Sequence, residues 1–218
     1  MSGKKTATAT TVTHHEENEA LVKVLGFWDK FSKPIIYIGS AIILAIAGYY
    51  IYKNFVKEPK ELKAAETIFP AQKLFDKMAN AGFNKDSVNI LLNGGVLEGQ
   101  PVTGLLKIQN NYSGTQAANL AAYMTGAAYL HIKEFDKAIK YLKEFNGHGA
   151  TQVESRAYVM LGHAYAEKKN SDEALSYYKK GASVNPKDET FAADALLIAA
   201  AYAESLGKNK DAIDLYTQ

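Results

Sequence analysis

Residues 158–186, YVMLGHAYAEKKNSDEALSYYKKGASVNP, carry the pattern that most narrows the folds open to this chain. Leu161-Gly162-His163-Ala164-Tyr165 is followed by Ala174, Tyr178 and Pro186. In a helical hairpin, a glycine one turn before a tyrosine lets two helices approach closely, and the aromatic fills the gap at the next turn. An alanine nine residues beyond that tyrosine falls at the crossing point of the second helix, where a larger side chain would push the pair apart. The proline ends the second helix and opens the turn to whatever follows. Thr151 with Glu154, and Asn170 with Glu173, have the spacing of capping pairs that open the two helices.

The unit recurs. Gly126, Tyr129, Phe135, Ala138 and Leu142 repeat the pattern 36 residues upstream of Gly162, and Ala200, Leu206, Gly207, Ala212 and Tyr216 repeat it 38 residues downstream of Ala174. The third copy has Ala200 in the glycine place, and Tyr202 stands one residue early. It runs to Gln218, partway through its expected second helix. The pattern resembles the tetratricopeptide repeat, a helix–turn–helix unit of about 34 residues. The spacing predicts an all-α helical-hairpin solenoid over 119–218, with units at about 119–150, 151–186 and 187–218. The longer periods place extra residues in the turns FNGHGATQVES and SVNPKDETFAA.

A second feature sets where such a solenoid is tethered. Pro34 to Tyr52, PIIYIGSAIILAIAGYYIY, is nineteen residues without a charge. At about 1.5 Å per residue a helix of this length nearly matches the hydrocarbon thickness of a bilayer. The run is too long for a signal-peptide core, follows a 33-residue tail, and has Tyr49, Tyr50 and Tyr52 where a cleavage site needs small residues. It reads as an uncleaved signal anchor over 34–56, with tyrosines at one membrane boundary and Trp28 at the other. Lys23, Lys30 and Lys33 precede it and Lys53, Lys57, Lys60 and Lys63 follow, so lysine counts do not decide its orientation. Ser40, Ala41, Ala45 and Gly48 form a small-residue face suited to helix packing. Residues 1–19 read as a disordered polar tail, in which His14 and His15 lack further metal ligands. Residues 20–33 read as a short amphipathic helix, with Leu21, Val24 or Leu25, Trp28 and Phe31 on one stripe, lying on the membrane or docking on a partner.

Residues 57–118 read as an irregular helical segment. A helix continues through KELKAAETIFPAQKLFDKMANAG, with Pro70 kinking or dividing it. A glycine-rich loop and a short helix near Leu105–Ile108 follow. Asn93-Gly94-Gly95 is a turn, since no lysine followed by serine or threonine completes a phosphate loop. The chemistry of catalysis is missing from the pattern. The chain has no cysteine, which removes disulfides, thiolate metal sites and cysteine nucleophiles together. Its five histidines are scattered, no Gly-x-Ser-x-Gly turn occurs, and a net charge of +2 gives no case for nucleic acid. The expectation is a protein that is not an enzyme and has no cofactor and no metal.

Anchor, AAETIFPAQKLFD helix, LLNGG loop and KIQNNYSGTQAANLAAYMTGAAYLHIKEFDKAIKYL together resemble one family over residues 20–218. It is the membrane-anchored tetratricopeptide proteins of the bacterial envelope, similar to the ancillary subunit of the Sec translocon and, more loosely, to cell-division coordinators. The resemblance implies a single-pass protein of the bacterial inner membrane, N-terminus cytoplasmic and repeats periplasmic. It implies partners in the Sec translocon subunits, a periplasmic folding factor and exported polypeptides. The same architecture would also serve cell-wall synthesis or division.

In a solenoid the first helix of each pair lines the concave side. Helical spacing assigns that side Tyr123, Ala127, Leu130 and His131 from the first unit and Arg156, Val159, His163 and Glu167 from the second. The third gives Asp194, Leu197, Ala201 and Glu204. A clamp of lysines and asparagines for a C-terminal carboxylate, found in some tetratricopeptide domains, is not among these residues. A mixed apolar and weakly charged groove suits extended peptide or a partner's helix. For any one residue the competing reading is packing between repeats, and His163 reads as a packed histidine rather than a ligand. Gly126, Tyr129, Ala138, Leu161, Gly162, Tyr165, Ala174, Tyr178, Pro186, Gly207 and Ala212 are assigned to the packing of the repeats themselves.

Overall fold

The computed structural model describes residues 10–186 and 189–218, with side chains at 22, 25–186 and 192–218. The chain divides into two compact units, Met1–Lys57 and Glu58–Gln218.

The first unit is one helix, α1 (Thr10–Tyr52), followed by a π-helical turn at Lys53–Lys57. This corrects two expectations. Residues 10–19 are helical rather than a disordered tail, while 1–9 and the side chains of His14 and His15 lie outside the described residues. Residues 20–33 and the apolar run are not separate helices, because Pro34 sits inside α1. Proline removes one backbone donor and crowds the preceding turn, which kinks or breaks many helices, yet α1 runs on through it. One helix among the described residues is long and apolar enough to cross a membrane, with mean hydropathy 1.9 over a stretch of which none is buried. Its isoleucines and tyrosines, from Ile35 to Tyr52, stand exposed on every side. Ser40 Oγ donates to the Tyr37 carbonyl, so its hydroxyl is satisfied within the helix.

The second unit begins with α2 (Glu58–Ala81), which Pro70 does not divide. α3 (Lys85–Asn93) is capped by Asn84, whose side chain accepts from the Ser87 amide at 2.8 Å. The expected glycine-rich loop is instead an antiparallel hairpin, β1 (Gly94–Leu97) and β2 (Gln100–Thr103). Glu98 and Gly99 both take positive φ at its turn, as a two-residue hairpin requires. α4 (Leu105–Asn111) follows where a short helix was expected. Ile68, Leu74, Met78, Leu91, Leu105 and Ile108 build one core with Ala121, Met124 and Ala128 of the next helix, so this segment packs on the repeats.

Three helix pairs complete the unit: α5 (Gln116–His131) with α6 (Phe135–Glu144), α7 (Thr151–Glu167) with α8 (Ser171–Ser183), and α9 (Glu189–Ser205) with α10 (Asn209–Tyr216). Each pair turns in the same way. Lys133, Lys169 and Gly207 take positive φ. The next amide in each turn, of Glu134, Asn170 and Lys208, donates to Tyr129, Tyr165 and Ala203 at 2.9, 2.9 and 3.0 Å. These bonds fix the structural register of the copies and resolve the displaced Tyr202: the residue corresponding to Tyr165 is Ala203. Ion pairs join neighbouring units, Lys168 with Asp136 and Lys208 with Asp172; the aspartates stand at matching places and the lysines do not, and because the aspartates are largely exposed the pairs add little stability. Asn170 caps α8 as expected, accepting from the Glu173 amide. Thr151 does not cap α7, whose cap position is Ala150 without a side-chain bond; Glu154 lies against Gly147 and accepts from the Tyr158 hydroxyl at 3.4 Å.

A candidate protein-binding groove on the first helices

Close approach within each pair comes from the small residues. A β-carbon on Gly126 would lie 2.5 Å from Leu142 Cγ, and one on Gly162 would lie 2.4 Å from Tyr178 Cδ1. Ala138, Ala174 and Ala212 are fully or almost fully buried where the helices cross. The aromatic that fills the gap at Gly162 is therefore Tyr178, on the facing helix, and not Tyr165 as the spacing implied. Tyr165 instead stacks on Tyr177 at 5.4 Å, and its hydroxyl accepts from Lys143 Nζ at 2.8 Å. Tyr129 likewise stacks on Tyr141. Leu161 is core and Pro186 is exposed after α8.

With the second helices held so close, the first helices α5, α7 and α9 leave a groove of about 320 Å³ between them. Tyr123, Arg156, Val159, His163 and Asp194 line it, as the spacing predicted, together with Ser155, Met160, Ala195 and Ile198. Seven assignments fall outside the lining, among them Ala201 and Glu204, both exposed on α9. Ala127 is buried in the array, and Leu130 is half-buried beside it. His131 is stacked on Phe83 at 3.8 Å. Glu167 is exposed beyond the groove, and Leu197 is 54% exposed while Ile198 faces in.

His163 is exposed, not a packed core histidine as the spacing implied, and it meets Tyr178 across the hairpin with Nδ1 and Oη 2.9 Å apart. Partial desolvation by the groove wall holds its imidazole below the ordinary value near 6.5, more strongly than Glu167 pulls it up. Burial raises the Tyr178 phenol well above its usual range, so the phenol donates and neutral His163 accepts. A histidine with a lowered folded pKa binds fewer protons folded than unfolded, so its contribution is present at neutral pH and is lost as pH falls below about 6.5. Denaturant unfolding at pH 7.5 and 5.5 is expected to show lower stability at pH 5.5, with a smaller difference in His163→Asn. An equal difference in both proteins would exclude this pairing. Tyr123 is likewise kept a phenol by burial, with Arg156 opposing. Among the described residues no group of three or more histidines and carboxylates is placed to hold a metal ion.

A tetratricopeptide repeat model matches residues 155–188, which span most of α7 and all of α8. The fold is the all-α tetratricopeptide fold. Among solved structures the chain is similar to one titled "MamA RS-1 ArsTM double mutant", at 16% identity over 88% of this chain and 90% of that one, with a TM-score of 0.49. No curated protein matches the chain. Tetratricopeptide arrays are scaffolds for protein–protein contact, and the matched repeat supplies Arg156, Val159 and His163 of the groove.

Proposed function

We propose that this protein is a non-catalytic scaffold of the bacterial inner membrane, single-pass, with its N-terminus in the cytoplasm and its repeats in the periplasm. It is ancillary to the Sec translocon and assists exported polypeptides together with a periplasmic folding factor. The observation that carries the reading is the groove on α5, α7 and α9. Val159, Met160, Ala195 and Ile198 give it an apolar floor, while Arg156, Asp194, His163 and Tyr123 set polar groups around that floor. Such a surface holds an extended chain or a partner helix through side-chain contacts without selecting one sequence. The exposed apolar helix before it supplies the anchor, and the resemblance over residues 20–218 supplies the translocon and the side of the membrane.

Two measurements test this. A reporter that works only outside the cytoplasm, fused after Gln218, is expected to be active; an inactive fusion that is still membrane-bound would reverse the orientation. Purification from mild detergent is expected to bring down channel subunits. Recovery of wall synthases in their place would move the scaffold to cell-wall assembly.

A further inference from the structure

α2 carries two apolar stripes. Ala64, Ile68, Ala71, Leu74 and Met78 face the core. Leu62, Ala65, Phe69 and Gln72 recur on the outer side at spacings of three, four and three. That is the spacing of a heptad seam, along which one helix packs on another. Leu62 is 65% exposed, and Phe69 is 55% exposed although the Lys73 ammonium lies over its ring at 4.7 Å. Glu58 and Asp76 bound the seam at the next step beyond each end, and Glu66 stands exposed on its flank. Beside the seam lies a groove of about 420 Å³, to which α2 contributes Ala65, Ile68 and Gln72, and the repeats Leu120, Phe145 and Val153. Among the described residues no lysine, arginine, aspartate or glutamate lines it, so its match in charge is an uncharged face. In a parallel, in-register pair of helices a side chain at position 69 enters a hole made by residues 65, 68, 69 and 72 of the facing helix. Three of those four form the α2 wall of this groove, and the fourth is the exposed phenylalanine itself.

We propose that this groove receives Phe69 of a second copy of the chain, so that two α2 helices pair in parallel and each ring enters the other's groove. Knob and hole lie on one uncharged surface, which is the condition for a closed two-fold contact. Pairing takes the Leu62 and Phe69 side chains of both copies out of water. A seam of four residues is small against the roughly 800 Å² per partner that a stable interface buries. The pair therefore depends on the membrane anchor, which holds copies in one plane and raises their effective concentration. The inference rests on the single-pass reading but not on the groove of α5, α7 and α9, so that groove and this one can fail separately.

The chain has no cysteine, so single introduced cysteines report the contact cleanly. The test uses the full chain in phosphatidylcholine vesicles, oxidised with copper phenanthroline. Disulfide-linked dimers are expected from Leu62→Cys and from Ala65→Cys, and about tenfold fewer from Lys63→Cys, which lies off the seam. Adding Phe69→Ala, at an exposed site whose truncation leaves the core intact, is expected to lower the Ala65→Cys yield about tenfold. Adding Val159→Asp is expected to leave that yield unchanged. Equal yields from all three cysteines, dimers from one seam position but not the other, or a yield that Phe69→Ala does not lower would overturn the pairing. So would native membranes in which Ala65→Cys links only to a different protein. A chain that alkaline carbonate leaves in the vesicles but that gives no dimers overturns the pairing alone; a chain that carbonate releases overturns the anchor and the pairing with it.

Discussion

Replacing Gly162 by alanine lowers the unfolding free energy by about 2 kcal/mol, and by about 3 kcal/mol or more when leucine is introduced. At an exposed helical position the same change to alanine would stabilise by nearly 1 kcal/mol, because glycine costs more backbone entropy. Here the new carbon meets Cδ1 and Cε1 of Tyr178 at 2.4 Å and Cγ at 3.0 Å. Cγ lies at the base of the ring, so a small rotation cannot relieve the clash and the whole side chain must leave. With it go the bond to His163 and the edge contact with Tyr202 at 5.4 Å. The third pair shows the displaced arrangement: Ala200 stands in the glycine place, and Tyr216, which corresponds to Tyr178, is 50% exposed against 2% for Tyr178. Urea unfolding followed by circular dichroism checks this, with a fall in Tm of roughly 4–8 °C as the companion signal. Stability within about 0.5 kcal/mol of the parent would mean that α7 and α8 do not depend on close approach at this point.

Ile108→Ala carries the other large effect, about 3 kcal/mol. Ile108 has no exposed surface, and it joins α4 to Met124 and Ala128 of α5 within one continuous core. A cavity there weakens the first repeat as well as the segment before it, so the loss is expected in a single cooperative transition. Leu197→Ala, at a leucine 54% exposed, serves as the control and is expected to change stability by less than about 0.5 kcal/mol. Two separate transitions in Ile108→Ala would show that residues 58–112 fold apart from the repeats.

The repeats were legible because small residues at helix crossings have no substitute: Gly126, Gly162, Ala138 and Ala174 mark contact points through their lack of bulk. The partner of each contact was not legible in the same way. Tyr165 follows Gly162 by one turn of α7 and Tyr178 lies on α8, and only the packing of the two helices decides that Tyr178 fills the gap. Asn170 stands at the cap position of α8 and bonds the Glu173 amide, whereas Thr151, with the same spacing to Glu154, lies one residue inside α7, where Ala150 holds the cap position. The hairpin at Gly94–Thr103 was hidden because Glu98 takes a positive φ usually left to glycine or asparagine, so no Asn-Gly or Asp-Gly signal announced the turn. Of the α7 residues that helical spacing places on the inner side, Arg156, Val159 and His163 line the groove and Glu167 does not. On α5, Ala127 is buried against neighbouring helices and His131 stacks on Phe83, and on α9 Leu197 is 54% exposed while Ile198 lines the groove, contacts that helical spacing does not carry.

The central claim, that the groove on α5, α7 and α9 holds other polypeptides, is tested most directly by a photoreactive amino acid at Val159 in intact membranes. The same residue at Leu197, outside the groove, is the reference. Adducts with exported chains or channel subunits from position 159, absent from 197 and lost when Ile198 is changed to aspartate, are the predicted result. Adducts of equal yield from both positions, or cytosolic proteins alone at 159, would contradict it.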